Sequence, residues 1–173
     1  YAHSYVRGNW RNQTIASPLI LAKNCHDMDI LRWLADASCE RISSLGGLAH
    51  FKKENAPEGS ALHCFECAEY IRKTCPFDAE KIYLTHDICG LLKGNLGWPC
   101  DVVVPHPTKQ SLREALRTGL YGRCVYHCDN NVADHQTVLL QFANGVTASF
   151  TVSAFTQECH RTIRLMGTMG EMY

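Results

Sequence analysis

The amino-acid sequence predicts an α+β domain in which helices pack on one face of an open, predominantly antiparallel sheet. Apolar and polar residues alternate on both sides of Asn144-Gly145, a dipeptide typical of tight hairpin turns. A segment near the start of the chain has the apolar spacing of a helix instead. Helices come first and strands cluster at the end, which favours α+β over an alternating α/β fold.

The first third of the chain is predicted to hold a strand, a turn and a long helix. His3 to Trp10 is predicted as a short strand, and Arg11 to Ser17 as a polar turn. From Leu19 to Asp36 apolar residues point in nearly every direction of a helix, so we expect that helix to be largely buried. A strand is predicted over Arg41 to Phe51, where Gly46-Gly47 indicates a bulge or a close backbone approach.

The middle of the chain is predicted to be an irregular insertion. Several prolines and a group of cysteines interrupt any regular pattern over residues 52–108, so we expect only partial helix there. A short helix follows from Ser111 to Thr118. Ser111 is expected to cap it, with Glu114 three residues later as in a capping box, and Gly119 and Gly122 are expected to end it.

The last third contains the clearest strand pattern. Gln136 to Phe142 and Val146 to Val152 each place apolar residues on a single face, which predicts an antiparallel hairpin. Arg123 to Asp129 and Thr162 to Met166 are two further predicted strands. With 173 residues, the chain is expected to form one domain, residues 1–173, around a single core.

Composition argues against several classes of protein. Seventeen basic and seventeen acidic residues leave no formal charge, so nucleic-acid and membrane-surface partners are disfavoured. No apolar run approaches the length of about 18 residues expected of a spanning helix. Ten cysteines in a chain of normal apolar content indicate reduced thiols and a cytoplasmic location. Neither end resembles a natural terminus, so we expect a fragment of a larger protein.

The first candidate site lies in the N-terminal helix. Lys23, His26 and Asp29 recur at intervals of three among apolar residues, and polar groups in such a helix need partners. One interpretation makes His26 a general acid–base at the edge of a cleft, with Lys23 holding or polarising the same oxygen. The other makes His26 a core histidine hydrogen-bonded to backbone or to Asp29, and Lys23 a solvated lysine.

The second candidate site is a cysteine cluster. Cys64, Cys67 and Cys75 have the short spacing with which one turn presents thiolates to zinc. These three ligands leave a tetrahedral site one short. The candidates for the fourth ligand are three further residues, His50, His63 and Cys89. The alternative is a set of buried thiols without a metal.

The third candidate site is the predicted strand from Arg123 to Asp129. Alternation would place Arg123 and His127 on one face and Tyr126 on the other, so either face could line a site for a polar ligand. A solvated sheet face is the alternative. Gly167 to Gly170 lacks the strand–turn–helix context of a phosphate-binding glycine loop.

The sequence resembles the C-terminal domain of the Gfo/Idh/MocA oxidoreductases, which include glucose-fructose oxidoreductase and inositol dehydrogenases. The resemblance covers nearly the whole chain. Its strongest part is the segment from His26 to Leu34, HDMDILRWL, which is similar to the helix that carries the family's catalytic histidine. Asn9 to Asn12, Asn144 to Val146 and Met166 to Glu171 add to it.

The resemblance implies a fold like the C-terminal domain of dihydrodipicolinate reductase and a missing N-terminal Rossmann domain that binds NAD or NADP. It implies hydride transfer at a carbon of a sugar, cyclitol or related polyol, with His26 handling the hydroxyl proton. Arg11, Tyr126 and His127 are then candidates for holding substrate hydroxyls. We expect a homo-oligomer formed through the sheet, and no dehydrogenase activity from this chain alone.

One departure from the family concerns the catalytic helix. Ala22 stands where many members carry an aspartate, and Lys23 is the polar residue available instead. Two other functions remain open at this point. Some relatives cleave glycosides through transient oxidation by bound NAD, and a non-enzymatic domain stapled by structural zinc at Cys64, Cys67 and Cys75 is also consistent with the sequence.

Overall fold

The computed structural model describes residues 1–156 and 158–173 and contains both helices and antiparallel strands. Six 3-10 or π-helical turns of three to five residues accompany them in the described residues. The α-helices are α1 (Leu19–Ala22), α2 (Cys25–Ala35), α3 (Glu69–Thr74), α4 (Cys100–Val103) and α5 (Lys109–Thr118). The strands are β1 (Cys39–Gly47), β2 (His135–Phe142), β3 (Thr147–Ser153), β4 (Leu165–Gly167) and β5 (Gly170–Met172).

The main sheet has three antiparallel strands in the order β1-β2-β3. The hairpin predicted around Asn144-Gly145 is confirmed, and Gly145 has the positive φ of 85° that such a turn requires. Val138, Leu140 and Phe142 are buried on one face of β2, as the alternation predicted. A mixed fold of helices and a small antiparallel sheet is therefore confirmed.

The predicted long helix is two helices, and it is not largely buried. The chain leaves helical geometry at Lys23 and Asn24, between α1 and α2. Only one stripe of α2, formed by Met28, Leu31 and Ala35, packs on the buried face of the sheet. The outward face stays exposed because a sheet can cover only one side of a helix.

The close backbone approach predicted at the glycine pair is confirmed at Gly46. A Cβ atom built on Gly46 would lie 2.5 Å from the carbonyl oxygen of His135 on β2, whereas one on Gly47 would meet nothing within 4 Å. Gly46 pairs with Gln136 in the β1–β2 ladder. A side chain at position 46 would therefore separate the two strands.

The insertion and α5 share a core of their own. Tyr83, Leu84 and Cys100 pack there against two leucines of α5, Leu112 and Leu116. Residues 52–108 form short helical turns and irregular chain, as predicted.

The predicted cap of α5 is wrong by three residues. Thr108 caps the helix, because its Oγ1 accepts from the Ser111 amide at 3.1 Å. Ser111 returns the contact, since its Oγ accepts from the Thr108 amide at 2.9 Å. Ser111 is thus the third helical residue of the capping box rather than the cap. Gly119 ends the helix as predicted.

Two predicted strands are wrong and two others have different bounds. The strand predicted over Arg41 to Phe51 is β1, which ends at Gly47. His3–Arg7 is a π-helical turn rather than a strand, and the amide of Tyr5 just inside it donates to the carbonyl of Tyr1 at 2.9 Å. The segment from Arg123 to Asp129 forms turns, and its one described ladder contact is an isolated bridge between Arg123 and His63. The last predicted strand is reduced to β4, which pairs with β5. No helix in the described ranges has both the length and the apolar character needed to cross a membrane.

Candidate functional site

The break between α1 and α2 is held by two buried polar side chains. Asn24 and Asp27 are 4% and 9% exposed. The Nδ2 of Asn24 donates to Oδ2 of Asp27 at 2.9 Å, which ties the residue before α2 to its first turn. The local chain direction at the start of α2 is therefore determined by this pair.

Arg161, which is distant in sequence, gives Asp27 a second hydrogen-bond donor. Nε of Arg161 donates to Oδ1 of Asp27 at 2.6 Å. Burial by itself would raise the pKa of Asp27, but the hydrogen bonds from Asn24 and Arg161 outweigh it and hold that pKa below its ordinary value. Asp27 is thus an ionised anchor for the N-terminus of α2. Asn24 and Arg161 were not identified from the sequence.

This anchoring leaves Lys23 and His26 exposed. His26, Asp29 and Trp33 follow one another at helical spacing on the outward face of α2, where Trp33 is 73% exposed. The alternative in which His26 is a core histidine is therefore wrong. His26 and Lys23 are free to meet a ligand or another protein domain.

Arg11 lies at a second place, in an ion cluster with the loop that follows α5. Nε and Nη2 of Arg11 donate to the two carboxylate oxygens of Asp129 at 2.8 and 3.2 Å. Nη1 of Arg123 donates to the same carboxylate at 2.8 Å. The hydrogen bonds from Arg11, with further help from Arg123, hold the pKa of Asp129 far below its usual range. The cluster is a polar surface with a net positive charge.

Tyr126 and His127 are committed to protein partners. The hydroxyl of Tyr126, which is buried, lies 3.1 Å from Nε2 of His50. Nε2 of His127 lies 3.1 Å from Oγ of Ser60. The two faces predicted for a strand do not exist here, because the segment forms a turn in which the amide of His127 donates to the carbonyl of Cys124. The candidate residues thus fall into two groups, one on α1–α2 and one around Asp129.

A buried carboxylate, Asp134, organises the segment that carries His50. Asp134 is 0% exposed, and its Oδ2 accepts from the amides of Ala49 and His50 at 3.0 and 2.7 Å. Its Oδ1 lies 2.9 Å from Nδ1 of His135. Burial would raise the pKa of Asp134, but the hydrogen bonds from His135 and these backbone amides lower it overall.

The three cysteines predicted as metal ligands line one small cavity together with Cys124. The three residues considered for the fourth ligand, His50, His63 and Cys89, are not among the described residues that line it. Burial raises the pKa of Cys124 to about 11, with a further contribution from the neighbouring thiols. Among the described residues, no group of three His, Cys, Asp or Glu side chains is placed to hold a metal ion.

Gly167 to Gly170 forms the tight connection between β4 and β5 and does not open a helix. The segment therefore has a strand on each side, not the strand–turn–helix context of a phosphate loop. Comparison with protein-family profiles, curated proteins and solved structures yields no match to this chain.

Proposed function

We propose that this chain is the substrate-binding domain of an NAD(P)-dependent oxidoreductase acting on a sugar, cyclitol or related polyol. The observation that carries the proposal is the anchored turn at the start of α2. Asn24 and Asp27 are buried and bonded to each other, while Lys23 and His26 on the same stretch are exposed. The resemblance of the segment from His26 to Leu34 to the catalytic helix of the Gfo/Idh/MocA oxidoreductases supports the same residues.

The proposed chemistry needs a base and a cation at one substrate oxygen. A nicotinamide, when bound, accepts the hydride from the carbon that bears the hydroxyl group. His26 takes the hydroxyl proton, so the alcohol becomes a carbonyl compound. Lys23 stabilises the negative charge that develops on the oxygen as the proton leaves. The Asp27 carboxylate acts through the backbone as a positioning residue.

The proposal assigns cofactor binding to a separate Rossmann domain. The described residues of this chain contain no glycine-rich loop between a strand and a helix that would cradle a pyrophosphate. The exposed apolar side chain of Trp33, on the face of α2 that carries His26, is consistent with a neighbouring domain there. The chain by itself is therefore expected to show no turnover.

Among the substrate-binding candidates, Arg11 is the strongest. Its guanidinium is partly exposed and lies in a cluster with a second arginine, which suits an electronegative or polyhydroxylated ligand. Tyr126 and His127 already have protein partners, so in the proposal neither side chain binds substrate directly.

The proposal is tested on the complete parent protein, with its cofactor domain, against a panel of sugars and polyols with NAD and NADP. His26→Ala is expected to lower kcat by about 100-fold or more. Lys23→Ala is expected to lower kcat as well, and Lys53→Ala, an exposed lysine of the insertion, serves as the control. Circular dichroism checks that each variant folds.

Two results would contradict this proposal. Unchanged turnover in His26→Ala would remove the catalytic role of that residue. Release of a sugar without net formation of NADH would favour a glycosidase that uses NAD transiently over a dehydrogenase.

The proposal includes self-association through the uncovered face of the sheet. Leu45 on β1 and Leu139 on β2 are exposed on that face, beside the hydrogen-bonded pair Thr137 and Thr151. Leu139→Lys is expected to reduce the molar mass measured by light scattering. Leu62→Lys, at a comparably exposed leucine of the insertion, is expected to leave it unchanged.

A further inference from the structure

A small cavity lies between the insertion and the loop that follows α5. We propose that the four cysteines lining it, Cys64, Cys67, Cys75 and Cys124, bind one structural Zn²⁺ ion. Three of them come from the insertion and the fourth from a distant segment. The metal would therefore join the insertion to the rest of the domain.

The cavity has the size and the lining that such a site needs. Its volume is about 20 Å³, which is enough for one atom of the size of a water molecule. Cys64 is the first residue of a 3-10 turn, Cys64–Glu66, and Cys67 follows that turn directly. This is the short spacing at which zinc sites place two thiolate ligands. Cys124 is brought beside them because its amide donates to the carbonyl of Leu62 at 2.8 Å.

Two of the sulfurs already accept N–H hydrogen bonds. The Ala61 amide donates to Sγ of Cys67 at 3.3 Å, and Nη2 of Arg7 donates to Sγ of Cys64 at 3.2 Å. Hydrogen bonds of this kind strengthen when the sulfur carries negative charge. They are the outer contacts expected to orient and tune thiolate ligands.

Arg7 supplies an independent reason to expect a negatively charged group. It lines the cavity, is only 1% exposed, and has an Nη1 with no hydrogen-bond partner among the described residues. Its described acceptors are two backbone carbonyls and the Cys64 sulfur. Asp78, the carboxylate among the described lining residues, is paired with Arg72 instead, since Nε of Arg72 donates to its Oδ2 at 2.9 Å. A buried cation without a counter-charge is costly. Four thiolates around Zn²⁺ carry a net negative charge that would balance it.

The thiols must turn inward for the metal to bind, since no three of them are poised around one point in the described arrangement. Rotation about a Cα–Cβ bond moves a sulfur between staggered positions without moving the backbone. Because all four ligands come from the protein, the ion would have no open position for a substrate, as in structural zinc sites.

The experiment uses the purified 173-residue chain, reduced, stripped with a chelator and then given one equivalent of zinc chloride. We expect one zinc per chain by elemental analysis. Alkylation followed by mass spectrometry is expected to show protection of Cys64, Cys67, Cys75 and Cys124 only when zinc is present. Cobalt chloride in place of zinc is expected to give the absorption bands of tetrahedral thiolate coordination.

The matched pair of variants is Cys124→Ser and Cys89→Ser. Cys89 is a half-buried cysteine of the insertion outside the cavity. We expect Cys124→Ser to weaken zinc binding by more than about tenfold and Cys89→Ser to bind as the parent does. Absence of bound zinc, equal alkylation with and without zinc, or equal binding by the two variants would each overturn the proposal. If Cys124→Ser does not fold, the alkylation pattern of the parent decides.

The zinc proposal goes beyond the proposed oxidoreductase function and does not depend on it. Its measurements need neither substrate nor cofactor. If no zinc binds, the proposed roles of His26 and Lys23 are unaffected. If the parent protein shows no oxidoreductase activity, the zinc and alkylation measurements remain valid.

Discussion

Arg7 donates a hydrogen bond to Cys64 across 57 positions of sequence, from Nη2 to Sγ at 3.2 Å. The same guanidinium donates to the carbonyl of Phe77 and to that of Arg123, each at 2.7 Å. One buried side chain thus connects the N-terminal turn, the insertion and the loop after α5. The cysteine cavity lies where these three segments meet.

Replacing Arg7 by methionine is expected to destabilise the protein. The methionine of Arg7→Met is shorter and uncharged, and it leaves two partly buried carbonyls without their donors, which costs about 3 kcal/mol of unfolding free energy. Urea denaturation followed by fluorescence measures it. Arg41→Met, at an exposed arginine of β1, is the control and is expected to change stability little. Equal stability of the two variants would show that Arg7 does not hold these segments.

Alanine should be tolerated very differently at the two neighbouring glycines of β1. Gly46→Ala would place a Cβ 2.5 Å from the His135 carbonyl oxygen, so we expect a loss of about 2 to 3 kcal/mol as the strands shift. Gly47→Ala meets open space and is expected to be neutral or slightly stabilising. Thermal unfolding of the two variants makes the comparison. Similar melting temperatures would contradict the close approach.

Removal of the Asp134 carboxylate is expected to be among the most damaging single changes. Asp134→Ala leaves the Ala49 and His50 amides buried without an acceptor, at a cost of about 3 kcal/mol. Asp134→Asn keeps one oxygen acceptor and is expected to cost less. Hydrogen exchange at the amides of residues 49 and 50 should rise in Asp134→Ala. If those amides stay protected, another group accepts their hydrogen bonds.

His3 is expected to make stability depend on pH. Burial, with a smaller contribution from the positive charge of Arg7, lowers the pKa of His3 from 6.5 to about 4. The unfolded chain therefore binds the proton more tightly than the folded one. Stability from this group is complete above the unfolded pKa and is lost as pH falls from about 6.5 to about 4.

The size of this effect is about 1 kcal/mol, after allowance for the partial exposure of the ring. Urea denaturation of the parent and His3→Phe at neutral pH and near pH 5 isolates the contribution of His3 as a difference. We expect the parent to lose more stability than the variant on acidification. A parallel loss in both proteins would show that the ring of His3 is protonated equally easily in the folded chain.

The anchor beneath the candidate catalytic residues can be tested with two aspartates of α2. Asp27→Asn weakens the ionic contact with Arg161 and is expected to cost about 1 kcal/mol and to increase hydrogen exchange in the first turn of α2. Asp29→Asn, on the exposed face, is the control. Exchange rates that match in the two variants would mean that Asp27 does not order this turn.

The antiparallel hairpin, the close approach at Gly46 and the helix ended by Gly119 were predictable from the sequence. The hairpin and the helix end depend on residues that are neighbours in the chain, through alternation and turn chemistry. The glycine pair indicated a close approach locally, but only the fold identifies its partner, His135 on β2. The capping box of α5 was recognised as a motif, but its register was not, because Thr108 and Ser111 are both suitable caps.

The environment of the candidate sites was decided by contacts between segments far apart in sequence. The residues from Arg123 to Asp129 have strand-like composition but form turns, and nothing local identifies the carbonyls that Arg7 and Arg123 bind. Cys124 joins the cysteines of the insertion only through the fold.

The sequence by itself determined the α+β pattern and the presence of Lys23 and His26 on a helical stretch. Only the tertiary structure decided that His26 is exposed. The side of α2 that faces inward is the one that carries Asp27, which bonds to Asn24 and to Arg161, 134 positions away. Local patterns specify which surface of an element is apolar. Which polar groups are buried together is specified by long-range packing, since burial requires each one to find a partner.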